Sequence, residues 1–576
     1  MFLKCSEIKS LGGKVYKNYK IVVSVRKEGK VKHKILFSLG SLTDEKAEQI
    51  RQVLLVNSSP NEMLVRIDDV IVEENIDFLD IYTFRLLWKE WGFDEVFKSL
   101  PFAERLVLNR CLKPKSKIAA AEWNRGCVLD YIPGNKDANN KYGVYADLEN
   151  INKMEETIQQ HIARTMIKNE VDDLNAVVYD ITSTYFEDTQ CTIALRGYSR
   201  DKRPDKLQIV IALAISSKGY PFYWKVYQGN TQDITTMQSF VDDVKSRFGI
   251  EKCLLVFDRG MVSEDNIKYM DDNGYEYITA IDKNEISGLD IIGLGVFSET
   301  DESNINDKLQ GYSIYNDSLR FKEFCIDKKR YIIGFSLERK EEERYSRTEK
   351  IKKFEADIET MNQKLLDAKR SRNLDKAKVR VNGLIKKYKM TRMVDVQYEE
   401  VLVARGENEL KTFKVIAKVS EYELSKAVLL DGVTCFYTNT SVEKVSAKRT
   451  IQHYREKNKV EESFHEIKSH IRIRPIFVSR TGRVCAHVTI CILAYLLMNT
   501  LEERLDGKGI NMSLDGILEE LGRCKINIIS SKDNVLKRAT ITKMSDSQST
   551  ILRHLGYKNV TGLKEVKSII KSLNAV

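Results

Sequence analysis

The pattern of hydrophobic and polar positions is most regular between residues 176 and 282, where short β-branched apolar runs alternate with amphipathic stretches. Strands are predicted at 176–187, 207–216, 221–229, 252–260 and 275–282. Amphipathic helices are predicted at 233–249 and at 263–274, the second with Ser263 as its N-cap. The order is therefore three strands, then helix, strand, helix and strand, which indicates an α/β domain.

This order matches the ribonuclease H-like core, although many α/β domains share parts of it. In that arrangement the first and fourth strands are adjacent and parallel. We therefore predict an α/β fold with a ribonuclease H-like core.

Outside this range the periodicity changes. Residues 14–40 predict a β-hairpin that turns at 27–30, and 78–130 is mostly helical. Residues 283–440 contain further strands and a polar helical stretch at about 340–390. Its apolar positions have the spacing of a coiled-coil seam, which also suits a helical hairpin within one domain: Ile351, Phe354, Ile358, Met361, Leu365 and Ala368.

These patterns divide the chain into six predicted segments, which are listed in chain order. They are a basic β-hairpin region (1–60), a helical DNA-binding or dimerisation region (61–150), the first part of the core (151–282), a β-rich insertion with a helical arm (283–440), the second part of the core (441–505) and a helical tail (506–576).

The basic charge of the chain indicates a polyanionic binding partner. The net charge is +10, and residues 14–34 hold eight Lys/Arg against one Glu. Basic side chains interleaved with Tyr and Val suit a phosphate-facing surface, although a solubilising edge hairpin has the same composition. The ten cysteines form no C-x-x-C pair, and no P-loop motif occurs, which disfavours a zinc site and a P-loop ATPase.

The most apolar run is 485–501, which is short for a membrane span and contains His487 and Asn499. It predicts a buried core helix rather than a membrane helix. The first ten residues have no signal-peptide apolar core, so a cytoplasmic protein with reduced thiols is expected.

Two acids stand at positions where phosphodiester chemistry would need them. Asp180 interrupts an apolar strand, where an unpaired carboxylate is costly. Asp258 follows the strand 252–257, next to Gly260. Either residue alone could be a capping or salt-bridged Asp. If the first and fourth strands are adjacent and parallel, however, the two carboxylates meet, as two-metal catalysis requires.

A third acid is expected within "YREKNKVEESFHEIK" (454–468). Read as one helix, its apolar stripe is Val460, Phe464, Ile467 and Ile471. A neighbouring face presents Tyr454, Lys457, Glu461, His465 and Lys468. This face suits metal and DNA, although a solvated helix with i,i+4 ion pairs fits the segment alone equally well. Glu456, Glu462 and Glu466 lie off that face, and Glu456 is predicted to be a solvated surface acid.

At these residues the chain resembles the DDE transposases of bacterial insertion sequences, in the family-four group with a spaced Y-x2-R-x3-E-x6-K signature. The signature falls on Tyr454, Lys457, Glu461 and Lys468, with Lys457 in place of arginine. The blocks around Asp180 and the 203-residue separation of Asp258 and Glu461 also fit that group. Lysine keeps the charge of arginine but not its planar fork.

The resemblance implies a ribonuclease H-like catalytic core interrupted by a β-rich insertion domain, and Mg²⁺-dependent DNA cleavage and strand transfer at terminal inverted repeats. Asp180, Asp258 and Glu461 would hold two Mg²⁺ ions, with Mn²⁺ as an alternative. Tyr454, Lys457 and Lys468 would contact DNA. The secondary phosphate-binding candidates, which a solvated loop explains equally well, are Arg200, Lys202 and Arg203.

The partners expected are double-stranded DNA, as transposon ends and target, and a second copy of the chain on DNA. No membrane partner is expected. Three other classes remain open from sequence: a ribonuclease H-like nuclease without strand transfer, a non-catalytic DNA-binding protein derived from a transposase, and a scaffold protein built on the 340–390 coiled coil. The last of these leaves Asp180 and Asp258 unexplained.

Overall fold

The computed structural model describes residues 1–9, 15–27, 30–56, 67–123, 126–132, 141–172, 174–250, 253–289, 295–326, 329–406, 408–532 and 537–574. The fold is mixed α/β and divides into two compact units. Unit 1 comprises Met1–Glu90, Glu104–Val144 and Arg504–Val576. Unit 2 comprises Trp91–Ala103 and Tyr145–Glu503.

The strands in the described residues, in chain order, are β1 (Phe2–Lys9), β2 (Val15–Lys27), β3 (Lys30–Gly40), β4 (Val70–Asp77), β5 (Ala176–Tyr185), β6 (Gln208–Ser216), β7 (Pro221–Gln228), β8 (Leu254–Phe257), β9 (Glu276–Ala280), β10 (Ser313–Asn316), β11 (Leu319–Ile326), β12 (Lys329–Phe335), β13 (Val394–Arg405), β14 (Asn408–Val419), β15 (Val433–Thr438), β16 (Lys525–Ser531) and β17 (Lys537–Ile541).

The helices, likewise in chain order, are α1 (Asp44–Val56), α2 (Leu79–Glu90), α3 (Phe93–Val96), α4 (Ala103–Leu112), α5 (Lys117–Glu122), α6 (Val144–Lys153), α7 (Glu155–Lys168), α8 (Met237–Phe248), α9 (Glu264–Asp272), α10 (Lys283–Gly288), α11 (Gly295–Glu299), α12 (Ile305–Lys308), α13 (Leu337–Leu366), α14 (Leu374–Tyr388), α15 (Glu421–Leu429), α16 (Ala447–Glu456), α17 (Asn458–Ser469), α18 (Thr481–Leu505), α19 (Leu514–Gly522), α20 (Asp546–His554) and α21 (Lys564–Leu573).

Unit 1 begins with an antiparallel three-stranded sheet in the order β1-β2-β3. Strands β2 and β3 form the predicted hairpin, and β1 adds a third strand. The predicted turn residues 28 and 29 lie outside the described residues. Helix α1 covers one face of the sheet, where Leu3, Tyr19, Ala47 and Leu54 form a small core.

The second sheet of unit 1 has the order β17-β16-β4 and joins segments that are far apart in sequence. Strand β16 pairs antiparallel with β4 along its whole length, from Lys525↔Asp77 to Ser531↔Val70. Arg85 lies 2.6 Å from Glu104 and 3.1 Å from Glu565, which links α2 to α4 and α21. The segment 506–576, predicted to be helical, therefore contains two strands as well as helices.

Unit 2 is built on a nine-stranded sheet in the order β10-β11-β12-β15-β9-β8-β5-β6-β7. The five strands predicted between 176 and 282 are all present, and so are the two helices between them, α8 and α9. Strand β5 is parallel to β8, which is parallel to β9, whereas β6 and β7 are antiparallel. The predicted adjacency of the first and fourth strands is therefore present.

The segment 283–440 does not form a single separate β-rich body. Strands β10, β11, β12 and β15 extend the central sheet, because β15 pairs with the open edge of β9 at Phe436↔Ala280. The sequence indicates strands in this segment, but β15 pairs with β9, which lies more than 150 residues away along the chain. Hydrophobic periodicity alone carries no information on such distant pairing.

Residues 337–419 form a helical arm with its own β-hairpin: α13, α14, β13 and β14. The predicted seam is buried within this arm, where Phe354, Ile358, Met361 and Leu365 pack against α14 and the hairpin. Asn362 strengthens the contact by exchanging two hydrogen bonds with the backbone of Val415, at 2.8 and 2.9 Å. The heptad-like spacing thus serves a helical hairpin within this chain.

Helix α18 is long and apolar enough to cross a membrane, but 94% of its most apolar window is buried inside unit 2. Its polar side chains have partners there. Thr489 accepts a hydrogen bond from the Trp224 indole at 3.0 Å, and Thr500 accepts one from the Trp91 indole at 3.0 Å. The burial is that of a core helix, as the sequence predicts.

Candidate active site

Two of the predicted acids lie side by side at one edge of the β5–β8 ladder. Asp180 is on β5, and Asp258 follows β8 directly. Val178 pairs with Val256 and Tyr179 with Phe257, so Asp180 and Asp258 are the next positions on two neighbouring parallel strands. Adjacent strands are about 4.8 Å apart. The register therefore brings these two carboxylates together.

The third acid, Glu461, lies in the first turn of α17. The single helix predicted over 454–468 is two helices, α16 and α17, which meet at Lys457. Lys457 itself keeps helical angles (φ −55°, ψ −30°), so the change of direction is local. The predicted apolar stripe is buried, with Val460 and Ile471 fully enclosed. This packing holds α17 against the sheet and turns Glu461 towards the strand ends.

Lys457 lies between the acids. Its ammonium donates to Oε1 of Glu461 at 2.5 Å and lies 3.6 Å from Oδ1 of Asp258. The lysine side chain is only 9% exposed, against 57% for Glu461. Burial alone would lower the pKa of Lys457, but the hydrogen bond to Glu461 and the charges of Asp258 and Asp180 outweigh it and raise that pKa. The lysine is therefore a fixed positive charge within the carboxylate cluster.

The pKa of Asp180 is shifted by the same group of charges. Burial raises the pKa of Asp180 to about 6, and the negative charges of Asp258 and Glu461 add to the effect. The nearby Lys457 charge and a backbone hydrogen bond from Ile181 act in the opposite direction. All three predicted acids therefore interact electrostatically, which is the pattern found where functional carboxylates converge.

Tyr454, at the end of α16, also contacts this cluster. Its hydroxyl donates to Oδ1 of Asp258 at 3.4 Å, and its ring packs on Phe436. Burial, followed by the charge of Asp258, raises the pKa of Tyr454 to about 12. The phenol is therefore a neutral hydrogen-bond donor beside the second acid.

Lys468, on α17, contacts β5 at Thr182, two residues beyond Asp180 on the same face of the strand. It donates to the Thr182 hydroxyl at 2.8 Å and to Asp201 at 2.9 Å. Arg474 approaches the other oxygen of Asp201 at 3.2 Å. Burial lowers the pKa of Lys468, and Asp201 opposes this effect. Asp201, only 10% exposed, is thus a shared counter-ion that fixes two cations next to the first acid.

The three secondary candidates in the loop 197–206 differ in their surroundings. Arg200 forms an ion pair with Asp233, and its backbone N–H donates to Ser183 at 3.0 Å. Arg203 is held by both oxygens of Asp205, at 2.8 and 2.9 Å, with its guanidinium 5.2 Å from the Tyr185 ring centre. Lys202 is exposed at φ +58°. The loop is thus tied to β5, and Lys202 is its exposed cation.

Two residues near the acids were missed by sequence reasoning. Asp201 and Arg474 complete the Lys468 contact, and Arg474 also lies 4.5 Å from the Tyr185 ring centre. Asp201 is one of two acids within the basic run "SRDKRPDK", which is a weak signal for a shared counter-ion. Arg474 carries no comparable signal, because its place follows from the turn after α17.

Glu456 does not have the surroundings predicted for it. The sequence predicts a solvated surface acid, but its side chain is only 18% exposed and lies 2.9 Å from His453 Nδ1. Burial alone would raise the pKa of Glu456, but His453 and Arg449 outweigh it and lower that pKa. The helical wheel places Glu456 off the Glu461 face, as observed, but cannot reveal neighbours on other turns of a bent helix pair.

A cavity of about 920 Å³ opens beside the cluster, lined by Asp258, Tyr454, Arg455 and Asn458 on one side and by the start of α13 on the other. Among the described residues, no three His, Cys, Asp or Glu side chains are arranged as a ready metal site. The donor set nevertheless fits a hard divalent cation, because all three converging groups are carboxylates. Lys457 currently provides the positive charge between two of them.

Comparison with protein families identifies this chain as a transposase. Residues 173–497, more than half the chain, match the family model described as "Transposase DDE domain", and the chain belongs to this family. Residues 3–58 match "IS1634 family transposase, N-terminal domain". The predicted membership of the DDE transposases of bacterial insertion sequences is thereby confirmed. Membership implies action on DNA and use of a divalent metal ion.

No curated protein sequence matches the chain. Among solved structures, the cryo-EM structure of the piggyBac transposase synaptic complex with hairpin DNA is similar at 9% identity. The match covers 83% of this chain and 76% of that chain, with a TM-score of 0.33. A similarity of this size supports no conclusion about the site.

Proposed function

We propose that this transposase binds the terminal inverted repeats of its element, cleaves the DNA there and joins the freed ends to target DNA. Water attacks the phosphodiester at each end, and the bond to the 3′ oxygen breaks to leave a 3′-hydroxyl. That hydroxyl then attacks a target phosphodiester in line and displaces the target's own 3′ oxygen. Both steps exchange one phosphodiester oxygen for another, so one set of groups serves for both.

The single observation that carries the proposal is the convergence of Asp180, Asp258 and Glu461 around Lys457. The three acids come from β5, from the end of β8 and from α17, three elements of what we propose to be a ribonuclease H-like core. Structural ion pairs rarely combine three carboxylates and a buried lysine beside an open cavity. Glu461 also occupies the acidic position of the spaced transposase signature.

We propose that the three carboxylates hold two divalent ions, with Mg²⁺ as the physiological ion. When bound, such ions activate the attacking oxygen and stabilise the leaving oxygen. Because the ions would neutralise the carboxylates around it, Lys457 would no longer be held by Glu461 and could contact a phosphate. Tyr454 would donate its hydroxyl hydrogen to a phosphate oxygen near the cleaved bond.

Lys468 is proposed to contact DNA next to Asp180. Arg200, Lys202 and Arg203 would extend that contact along the loop 197–206, with Lys202 the most available of the three because it is exposed. The basic sheet β1–β3 and the helices up to residue 150 would bind the terminal repeat. Two ends must be joined in one event, so we propose a homodimer on DNA, acting in the cytoplasm at the nucleoid.

The test measures Mg²⁺-dependent nicking of a duplex that carries the element's own ends. Wild type should nick it, and Asp258→Asn should reduce nicking at least ~10³-fold while binding the same duplex normally. Equal activity in both proteins, or none in wild type, would refute the catalytic proposal. Strand transfer from a pre-cleaved end separates the transposase from a nuclease that only cuts, and binding without any cleavage would identify a non-catalytic relative.

A further inference from the structure

The positive charge of the chain is concentrated on one part of the helical arm. Residues 369–392, here called the basic segment, carry ten Lys/Arg against the single acid Asp375, a net charge of +9 when the whole chain has +10. The ten are Lys369, Arg370, Arg372, Lys376, Lys378, Arg380, Lys386, Lys387, Lys389 and Arg392. The other strongly basic stretch, residues 14–34, has a net charge of +7 from eight Lys/Arg and one Glu. The triad and its signature do not account for the charge of the basic segment.

All ten side chains are exposed. Within the described residues only Lys387 forms an ion pair, with Asp357 of α13 at 2.9 Å. Unneutralised like charges on one short helix repel one another and destabilise it. The arrangement therefore makes physical sense if a polyanion supplies the missing negative charge.

The geometry of α14 aligns part of this charge. At 100° per residue, Lys376, Arg380 and Lys387 lie within about 40° of one another. Gly383 falls on the same side, where a Cβ atom would meet nothing within 4 Å. The side of α14 about 100° around the helix from this stripe is buried in the arm through Ala377 and Val381. The stripe therefore faces open space along a helix about 22 Å long.

The basic segment leads towards the carboxylate cluster. At its C-terminal end Lys389 and Arg392 line a cavity of about 1090 Å³ at the base of the arm. That cavity and the one beside Asp258 share Lys283, Glu342 and Glu343 in their walls. The base of the arm is fixed to the core of unit 2 by Lys283–Glu343 at 2.6 Å and by the Arg347–Asp431 pair. The surface is thus continuous from the arm to Asp258 and Tyr454.

We propose that the basic segment binds the phosphate backbone of duplex DNA, and specifically that the duplex being cut at the carboxylate cluster continues along the arm. The inference rests on the proposed function, because it takes its ligand from the reaction at that cluster. Contacts to phosphate carry no base information, so this surface would give affinity and register without sequence preference. The rise of duplex DNA is 3.4 Å per base pair, so α14 would span about six pairs.

Duplex DNA fits this surface better than the other polyanions. A protein interface needs buried aromatic or aliphatic anchors, and the only large apolar side chain exposed on α14 is Val379. A membrane-binding helix needs a free apolar face, and the apolar face of α14 is already buried against α13 and β14. What remains is a row of charges with the spacing and extent of a phosphate backbone.

The test compares two triple variants with the same loss of charge. Lys376→Gln, Arg380→Gln and Lys387→Gln remove the three aligned cations of the basic segment, and glutamine preserves helix propensity. Lys153→Gln, Lys168→Gln and Lys268→Gln remove three exposed, unpaired cations from α6, α7 and α9 of the same unit. Binding of a random 40-base-pair duplex is measured in EDTA between about 50 and 300 mM salt, with circular dichroism to verify folding.

Each lost phosphate contact lowers the slope of log K against log salt by about 0.9, so the arm variant should lose 2–3 in slope and the control variant less than 1. The loss in slope should be equal on random and on terminal-repeat duplexes. A variant in which the same three residues are exchanged Lys for Arg and Arg for Lys keeps the charge and should have the slope of wild type. Equal slopes in the two variants would overturn the proposal. Because the assay contains no metal, its outcome is independent of whether wild type cleaves DNA.

Discussion

The Lys457 ammonium donates to the Glu461 carboxylate at 2.5 Å across one helical turn, at the junction of α16 and α17. The same ammonium lies 3.6 Å from Asp258, on another element of the fold. One cation thus connects the helix pair to the end of β8. This places the residue that departs from the family signature at the centre of the acids, where its charge is needed whether or not DNA is bound.

Replacing Lys457 should make the metal-free protein depend on divalent ions. Lys457→Gln leaves three neighbouring carboxylates without a cation, which should lower the free energy of unfolding in EDTA by about 1–2 kcal/mol, since two of the acids are half exposed. Adding Mg²⁺ should raise the Tm of this variant more than that of wild type. Thermal unfolding with and without Mg²⁺ measures both effects.

Lys457→Arg is the matched control, because it keeps the charge and supplies the signature residue. It should show the Mg²⁺ response of wild type. An identical Mg²⁺ shift in Lys457→Gln and wild type would contradict the view that the lysine takes the place of a cation among the acids.

Three single variants test which acid near the α16–α17 junction matters for cleavage. Glu461→Gln should lose Mg²⁺-dependent nicking by ~10³-fold or more, because a converging carboxylate is removed. Glu462→Gln should nick normally, since that side chain lies on a different face of α17 from Glu461. Glu456→Gln should lower the Tm by losing its His453 contact, with nicking retained below the melting range. Strong loss of nicking in Glu462→Gln, with retained activity in Glu461→Gln, would reverse the assignment.

The raised pKa of Asp180 predicts a pH-dependent stability cost. The pKa of Asp180 in the folded protein is about 6, above the ordinary aspartate value of 3.8. The associated stability is therefore full below pH 3.8 and lost as pH rises through 6, at a cost of about 2–3 kcal/mol. Asp180→Asn should consequently be more stable than wild type at pH 8 in EDTA.

Urea unfolding at several pH values measures this difference. The advantage of Asp180→Asn should shrink steadily below pH 6 and vanish near pH 4, where wild type is also neutral at this position. A difference that does not change with pH would show that folding does not raise the pKa of Asp180.

Asp201 is predicted to act through Lys468 and Arg474 rather than on DNA itself. Asp201→Asn leaves two largely buried cations without their counter-ion, so the free energy of unfolding should fall by about 3 kcal/mol. Asp205→Asn, in the same loop, removes an exposed partner of Arg203 and should change unfolding little. Denaturant titration of both variants checks the contrast, and equal effects would contradict it.

The part of the fold that sequence predicts well is the part with local signals. The strands around Asp180 and Asp258 are apolar runs with clear ends, and their order fixed which two would be neighbours. Glu461 was reachable because the apolar stripe of α17 sets its face. These expectations depend only on periodicity and on strand order, and both can be read from the amino-acid sequence.

What was missed depends on contacts across long sequence distances. The pairing of β15 with β9 enlarges the central sheet, and that of β16 with β4 places strands in a segment predicted to be helical. The Asp201–Arg474 pair joins residues 273 positions apart. Neighbours of this kind are determined by tertiary packing. A helical wheel does not contain this information, and for the same reason it predicts a solvated Glu456 where the side chain is mostly buried beside His453.

The pairing of β4 with β16 has a consequence for synthesis of the chain. Residues 70–77 leave the ribosome long before residues 525–531, and all of unit 2 is translated between them. Strand β4 must therefore wait with an open edge while more than 400 residues follow it. Unit 1 can close only on a nearly finished polypeptide, so prematurely terminated products should lack this sheet and be prone to aggregation and proteolysis.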